Sequence, residues 1–311
     1  MMKIAGQALR PLLSAILSVW LAFTITFFAL RALPGDAVQS VLLGSGASQS
    51  DIMARREMLG LDAPIGVQYG QALRDFTSGS LGVSLLNGLS TTELIAQNLP
   101  PTLELAGSAM LVAVILGCVL GSVSGTAHES ARRAADAVLA LTMSIPIYWS
   151  GTVAIFIFAG QLNWLPSGGA GRFSQLVLPA LLLGFHTSGS IARVIAAGLR
   201  EAYAMDYTRT AQAKGLSWGI IWYRHWLPNI LPAALTVIAL QAGYLLGGVV
   251  ITESIFSRPG IGRLLVNAVF QQDYPVVQGI AVWMAIVYVS LNLSADALIR
   301  ITDPRVIYAA A

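Results

Sequence analysis

Apolar residues in this chain come in long runs, and the polar residues collect in the gaps between them. Several runs are free of charge for about 18 to 25 residues, enough to cross a hydrocarbon core of about 30 Å as a helix. The pattern predicts six spans, at about 11–30, 105–127, 137–160, 175–196, 228–251 and 276–297. An even number of spans puts both termini on one side. The roughly 10-residue alternation of a membrane β-barrel is not seen, so the expected fold class is an all-α membrane protein, taken as a single domain over 1–311.

The first run follows Lys3 and Arg10 and superficially resembles a signal peptide. It exceeds a usual h-region, and Arg31 follows it without a small-residue cleavage site, so we read it as a retained span. Composition agrees with the pattern. Of 311 residues 56% are hydrophobic and only 11% charged, against roughly 25% charged in soluble domains. Mean hydropathy is +0.71.

The net charge of +3 is too small to argue for nucleic acid and reads as topology bias. With the amino terminus inside, the cytoplasmic cations are Lys3, Arg10, Arg132, Arg133, Arg200, Arg209, Lys214, Arg224, Arg300 and Arg305. The outer set is Arg31, Arg55, Arg56, Arg74, Arg172, Arg258 and Arg263, with Arg193 near a boundary. Long loops count little in this rule. Without Arg55, Arg56 and Arg74, ten stand against four, and both termini are expected to be cytoplasmic. The extracytoplasmic loop at 34–104 is then the one sizeable region outside the membrane. It contains a predicted short helix from Asp51 to Leu59, and it is too small for a robust core of its own.

Familiar catalytic signatures are absent. Lys3 and Lys214 are the only lysines, and neither closes a G-x-x-x-x-G-K-[ST] phosphate loop. Arg132 stands where His128-Glu129 would need a second histidine to make H-E-x-x-H, and no G-x-S-x-G elbow occurs. Cys118 is alone in an apolar run, so no internal disulfide or cysteine metal site is expected. A shared metal site among His128, His186 and His225 is not expected either.

Between spans four and five, a polar segment at 200–227 favours helix up to Lys214 and then meets Gly215, whose left-handed freedom suits a helix end. Ser217 can cap a second short helix leading to Leu227-Pro228. A helix, a tight turn and a second helix make a rigid protrusion, suited to docking or serving only as a connector. The stretch Asp206-Tyr207-Thr208-Arg209-Thr210-Ala211-Gln212-Ala213-Lys214-Gly215-Leu216, followed by Leu227-Pro228, resembles the loop of binding-protein-dependent ABC importer permeases. In particular it is similar to the first permease subunit of the dipeptide, oligopeptide and nickel group. Arg209-Thr210-Ala211 stands where the general loop has EAA. Further matches run along the chain: Leu33-Pro34-Gly35-Asp36, Leu59-Gly60-Leu61-Asp62, Ser144-Ile145-Pro146, Trp164-Leu165-Pro166, Asp273-Tyr274-Pro275 and Asp303-Pro304-Arg305.

The resemblance implies a type I ABC importer permease in a bacterial inner membrane, importing peptides or nickel and metal-chelate compounds; we lean toward peptides. It implies a second homologous permease subunit, two ATPase subunits carrying ATP and Mg, and an extracytoplasmic solute-binding protein. Enzymatic activity would lie in the ATPases. Asp206, Tyr207, Arg209, Thr210, Ala211, Ala213, Lys214, Gly215 and Leu216 would then dock on the ATPase.

Candidates for the substrate path are Ser144, Tyr148, His186, Gln241 and Glu253. Pro146 would kink span three toward the path. His186 serves either helix packing or the path. Gly243, Gly247 and Gly248 near Gln241 serve either close helix packing or a path lined by small residues. Glu253, placed beyond span five, is either an outer-gate carboxylate or an exposed one. Asp296 is expected to anchor span six. An intramembrane enzyme lacks its motifs here, and an ion-coupled secondary transporter would need intramembrane carboxylates, of which the spans have almost none.

Overall fold

The computed structural model describes residues 2–32, 50, 53, 57, 62–126 and 128–302. Of the predicted helix Asp51–Leu59 only Met53 and Glu57 are described, both helical; the Leu33–Asp36 junction, Asp303-Pro304-Arg305 and the side-chain surroundings of Gly248 and Asp296 lie outside the described residues.

In chain order the helices are α1 (Met2–Ala32), α2 (Ile65–Thr77), α3 (Thr91–Thr126), α4 (Glu129–Ser144) and α5 (Ile147–Ala154), which winds into a π-helical segment at Ile155–Gln161. After them come α6 (Phe173–Ala204), α7 (Asp206–Ala213) and α8 (Trp218–Ile221), which runs through a π-turn at Trp222–Trp226 into α9 (Leu227–Ile255). The chain then forms α10 (Ile261–Phe270) and α11 (Tyr274–Thr302). No strand occurs among the described residues, only one isolated bridge between Val83 and Ser90. Among the described residues five helices are long and apolar enough to cross a membrane, and α4 with α5 make a sixth span if counted together. The six expected spans are thus present, with two differences. The second starts at Thr91 and continues through Pro100-Pro101, where we expected it to begin near 105. The third is broken, with a bend of 104° between α4 and α5.

The described residues group into two compact units. One lies within 1–100 and 259–289, the other within 101–258 and 290–302. In the first unit, Phe23, Phe27 and Phe28 of α1 surround Tyr69 of α2, whose hydroxyl pairs with Thr24 Oγ1 at 2.9 Å. A core of Leu30, Leu94, Ile95, Ile261, Val276, Val277 and Ile280 joins α1 and the start of α3 to α10 and α11. The loop before α3 is tied down by Asp273, which accepts from Ser84 Oγ at 2.5 Å and from the Leu85 N–H at 3.1 Å.

The second unit is organised around α6, the most deeply buried of the long helices. Gly117, Gly121 and Gly125, four residues apart on α3, form one stripe against it. A β-carbon on each would lie 2.7 Å from Ile191 Cγ2, 2.7 Å from the Ala192 carbonyl oxygen and 2.8 Å from Leu199 Cβ. Small residues at this spacing let helix backbones meet, and dispersion replaces the hydrophobic drive that lipid cannot supply. For Gly243 and Gly247 the spacing leaves close packing and a path lined by small residues both open. Gly247 has open space around it and borders a cavity with Gly243.

Candidate functional site

The break in span three follows from a proline. Pro146 has no N–H, so the carbonyl four residues earlier, that of Thr142, loses its helical partner. In a membrane an orphaned carbonyl costs several kcal/mol unless something else satisfies it. His186 of α6 supplies the missing donor, with Nδ1 3.0 Å from the Thr142 carbonyl oxygen. Its other nitrogen, Nε2, lies 2.8 Å from Ser150 Oγ on α5. A carbonyl only accepts, so Nδ1 carries the proton, and in the neutral imidazole Nε2 accepts from the Ser150 hydroxyl. One side chain therefore grips both arms of the bend. Gly189, one turn further along α6, makes the approach possible: a β-carbon there would collide with Thr142 Oγ1.

The bend walls a cavity of about 630 Å³ whose lining includes Thr142, Pro146, His186, Thr187, Ser190, Gln241, Gly243, Tyr244 and Gly247. The lining is hydroxyls, amide, imidazole, small residues and aliphatic side chains, without a carboxylate, ammonium or guanidinium. Of the expected path residues, His186 and Gln241 border it. Ser144 ends α4 and is exposed, and Tyr148 is exposed on α5; neither borders the cavity. Thr142, Thr187, Ser190 and Tyr244 were missed because hydroxyls in apolar helices look like packing residues from sequence.

Glu253 corrects an expectation more sharply. It is neither exposed nor outside its helix: α9 continues to Ile255, and Glu253 is fully buried, accepting from Thr102 Oγ1 at 2.6 Å. Nearby Arg258, also buried, donates through Nη2 to Glu104 Oε2 at 2.6 Å, through Nε to the Pro101 carbonyl at 3.2 Å and through Nη1 to the Gly169 carbonyl at 3.3 Å. These bonds fasten the middle of α3 to the end of α9 and the turn after it, and none of these residues lines the cavity.

The segment after α6 is a rigid protrusion. Met205 is extended and turns the chain into α7, with Asp206 at the positive helix start. At its other end Gly215 adopts φ +74°, its N–H donates to Gln212 O at 2.8 Å, and the Leu216 N–H donates to Ala211 O at 3.2 Å. That pair of bonds is a Schellman motif, completed by apolar burial of Leu216 beside Ala211. Thr208 anchors α7 by donating to Ala202 O at 2.6 Å and accepting from Trp226 Nε1 at 3.0 Å. The resemblance residues therefore divide. Ala211 is buried and Leu216 half-buried, whereas Asp206, Tyr207, Arg209, Thr210, Ala213, Lys214 and Gly215 form the exposed face. Arg209 reaches Asp206 at 3.8 Å with both side chains in solvent. Ser217 sits at the start of α8, but its side chain makes no capping bond there. Thr208 and Trp226, which hold the protrusion in place, went unnoticed in the sequence although Thr208 and Ala211 have helical spacing.

A bent third span, a cavity beside α6 and a braced loop between spans four and five are brought together by one region of sequence. Residues 113–308 match the family described as the binding-protein-dependent transport system inner membrane component. The chain belongs to this family. It is 37% identical to the dipeptide transport system permease protein DppB of Alkalihalophilus pseudofirmus, over 97% of this chain and 99% of that one. It is 35% identical to a probable peptide ABC transporter permease of Sinorhizobium fredii, covering 96% and 98%. With the glutathione transport system permease protein GsiC of Salmonella choleraesuis it shares 32%, covering 97% and 99%. An inward-facing form of the MetNI methionine ABC transporter superposes with a TM-score of 0.59 at 17% identity, over 68% of this chain and 96% of that one, which shows the permease fold. This permease is thus a multi-pass inner-membrane subunit of an ABC importer, and the ion-coupled transporter is set aside.

Proposed function

We propose that this permease forms one half of the pathway by which an ATP-driven importer moves small peptides into the cytoplasm. A second, homologous permease would complete the pathway, two separate ATPase subunits would bind ATP and Mg, and an extracytoplasmic solute-binding protein would deliver the cargo. Both termini and the protrusion at α7 then face the cytoplasm, in keeping with the distribution of lysine and arginine. The exposed face of α7 docks on the ATPase.

The cavity beside His186 carries the substrate reading. A peptide offers amide donors and acceptors and side chains of any character. The lining meets these with neutral hydrogen-bonding groups and small residues. A bare metal cation would call for carboxylate, thiolate or free imidazole ligands, and both nitrogens of His186 are already engaged. The names of the relatives point the same way.

For the docking surface, the support is a stiff element with solvated charges and a fixed base. Closure of the ATPases on ATP would push on α7, and α7 continues from α6, so the push reaches the cavity wall. The test is uptake of a radiolabelled dipeptide into vesicles holding the complete reconstituted transporter. Uptake should require ATP and the binding protein and persist with ionophores. Preferred uptake of a nickel chelate over every peptide tested would overturn the substrate reading. Accumulation driven by an ion gradient without the ATPases would overturn the mechanism.

A further inference from the structure

A second cavity, of about 290 Å³, lies between α3, α4 and α6 and shares no residue with the one beside His186. It is lined by Ser124, Asp136, Leu139, Ala140, Ala196 and Ala197 and by two arginines, Arg193 and Arg200. The arginines are seven residues apart on α6, hence on one face and about 10 Å apart along the axis. Arg200 is already engaged: its Nη2 donates to Ser124 Oγ at 2.7 Å and lies 3.5 Å from Asp136 Oδ1. Asp136 also accepts from the Ser124 hydroxyl. Arg193 is exposed and has no partner among the described residues.

Two guanidiniums against one carboxylate leave the cavity one positive charge in surplus. Its depth says what balances that charge. Ser124 is two residues from the end of α3 and pairs with Arg200 at the rim, while Arg193 stands about 10 Å further along α6, inside the apolar run of span four. A cation there is costly without a counter-ion. The walls beside it are Leu139, Ala140, Ala196 and Ala197, apolar and mostly small.

We infer that this cavity binds the phosphate headgroup of an anionic phospholipid from the cytoplasmic leaflet, with Arg193 on the phosphate and Arg200 at the rim. Basic pockets between spans on the cytoplasmic side hold such headgroups, and each arginine contributes about fivefold in affinity. The inference rests on the inward orientation proposed above and not on the nature of the cargo. A cargo carboxylate fits less well, because the residues that line this cavity include none from α9, which contributes Gln241 and Tyr244 to the other.

The test uses the complete purified transporter in nanodiscs of phosphatidylcholine alone, or of phosphatidylcholine and phosphatidylglycerol in equal parts, with bound lipid counted by native mass spectrometry. The wild type should retain phosphatidylglycerol selectively. Arg193→Gln should bind it about fivefold more weakly, Arg193→Lys should bind nearly as wild type, and Asp136→Asn should bind more tightly. The opposed signs separate a lost site from a misfolded one. Competition by free glycerol phosphate as effective as by the lipid would overturn the lipid as the source. Equal retention by wild type and Arg193→Gln would overturn the site. So would a loss of peptide uptake by Arg193→Gln that is as large in phosphatidylcholine alone, since Arg193 would then act on cargo or a partner. Failure of the orientation itself would appear independently, as α7 accessible to a membrane-impermeant label from outside the cell.

Discussion

One side of α6 meets α3 through Gly117, Gly121 and Gly125 with backbones nearly in contact, while the side carrying His186 borders an open cavity and reaches its neighbours through two hydrogen bonds. Both serve the same helix, but they resist different things. The glycine seam gains its stability from many small dispersion contacts and tolerates no added atom. The histidine contact gains its stability from two directional bonds and leaves space beside them. A transporter needs both: a seam that does not slip, and a wall that can be re-formed as cargo passes.

The seam should break most dramatically. Gly121→Val would drive a side chain into the Ala192 carbonyl, where no flexible group can yield. The expected loss is about 3 kcal/mol, measured as a fall in the thermal unfolding midpoint of the purified complex or as failure to assemble. A variant with the wild-type midpoint would show that α3 and α6 are not locked there.

The wall should respond next, and in a pattern that identifies its cause. His186→Ala leaves the Thr142 carbonyl without a donor and should cost about 2 kcal/mol. In a Pro146→Ala background the new N–H at residue 146 can take that carbonyl, so the same change at residue 186 should cost much less. The double-mutant cycle reads this coupling directly. Additive losses would mean that His186 merely fills space. Pro146→Ala should also lower peptide uptake whether or not His186 is present, because the bend goes with the proline.

Smaller still is the expected effect on folding at the protrusion. Gly215→Val meets no neighbour but must hold a positive φ, at a cost of roughly 1 to 2 kcal/mol. Its signature should be functional: ATP hydrolysis by the assembled transporter continues while uptake falls. Wild-type coupling in that variant would remove α7 as the ATPase contact. At the bottom of the scale, Gly247→Ala enters open space within a helix and should gain about 0.5 kcal/mol. Gly247→Leu, filling the cavity, should reduce uptake without lowering the midpoint.

How much of this was legible in the sequence depended on how local the physics was. Spans are visible because hydrophobicity is summed over neighbouring residues. The end of α7 was visible because Gly215 announces its own backbone requirement. Pro146 announced a kink but not its size, because the bend is set by what satisfies Thr142, and that donor is 44 residues away. Glu253 was misplaced because a carboxylate near a span end is ordinarily solvated, and its partner Thr102 comes from a helix far away in sequence. The seam on α3 was readable as spacing, yet a similar spacing on α9 faces a cavity; spacing alone does not say which helix comes close. The cavity itself belongs to no stretch of sequence, since α4, α5, α6 and α9 all contribute to it.

The pairing of Pro146 with the histidine that replaces its lost N–H also constrains how such a chain can evolve. The histidine cannot be discarded first, since that strands a carbonyl in an apolar surround; the proline can, since an ordinary residue restores the internal bond. Descent therefore has a preferred direction. A lineage can straighten its third span by losing the proline and then let residue 186 drift. A lineage acquiring the bend must already carry a donor in place.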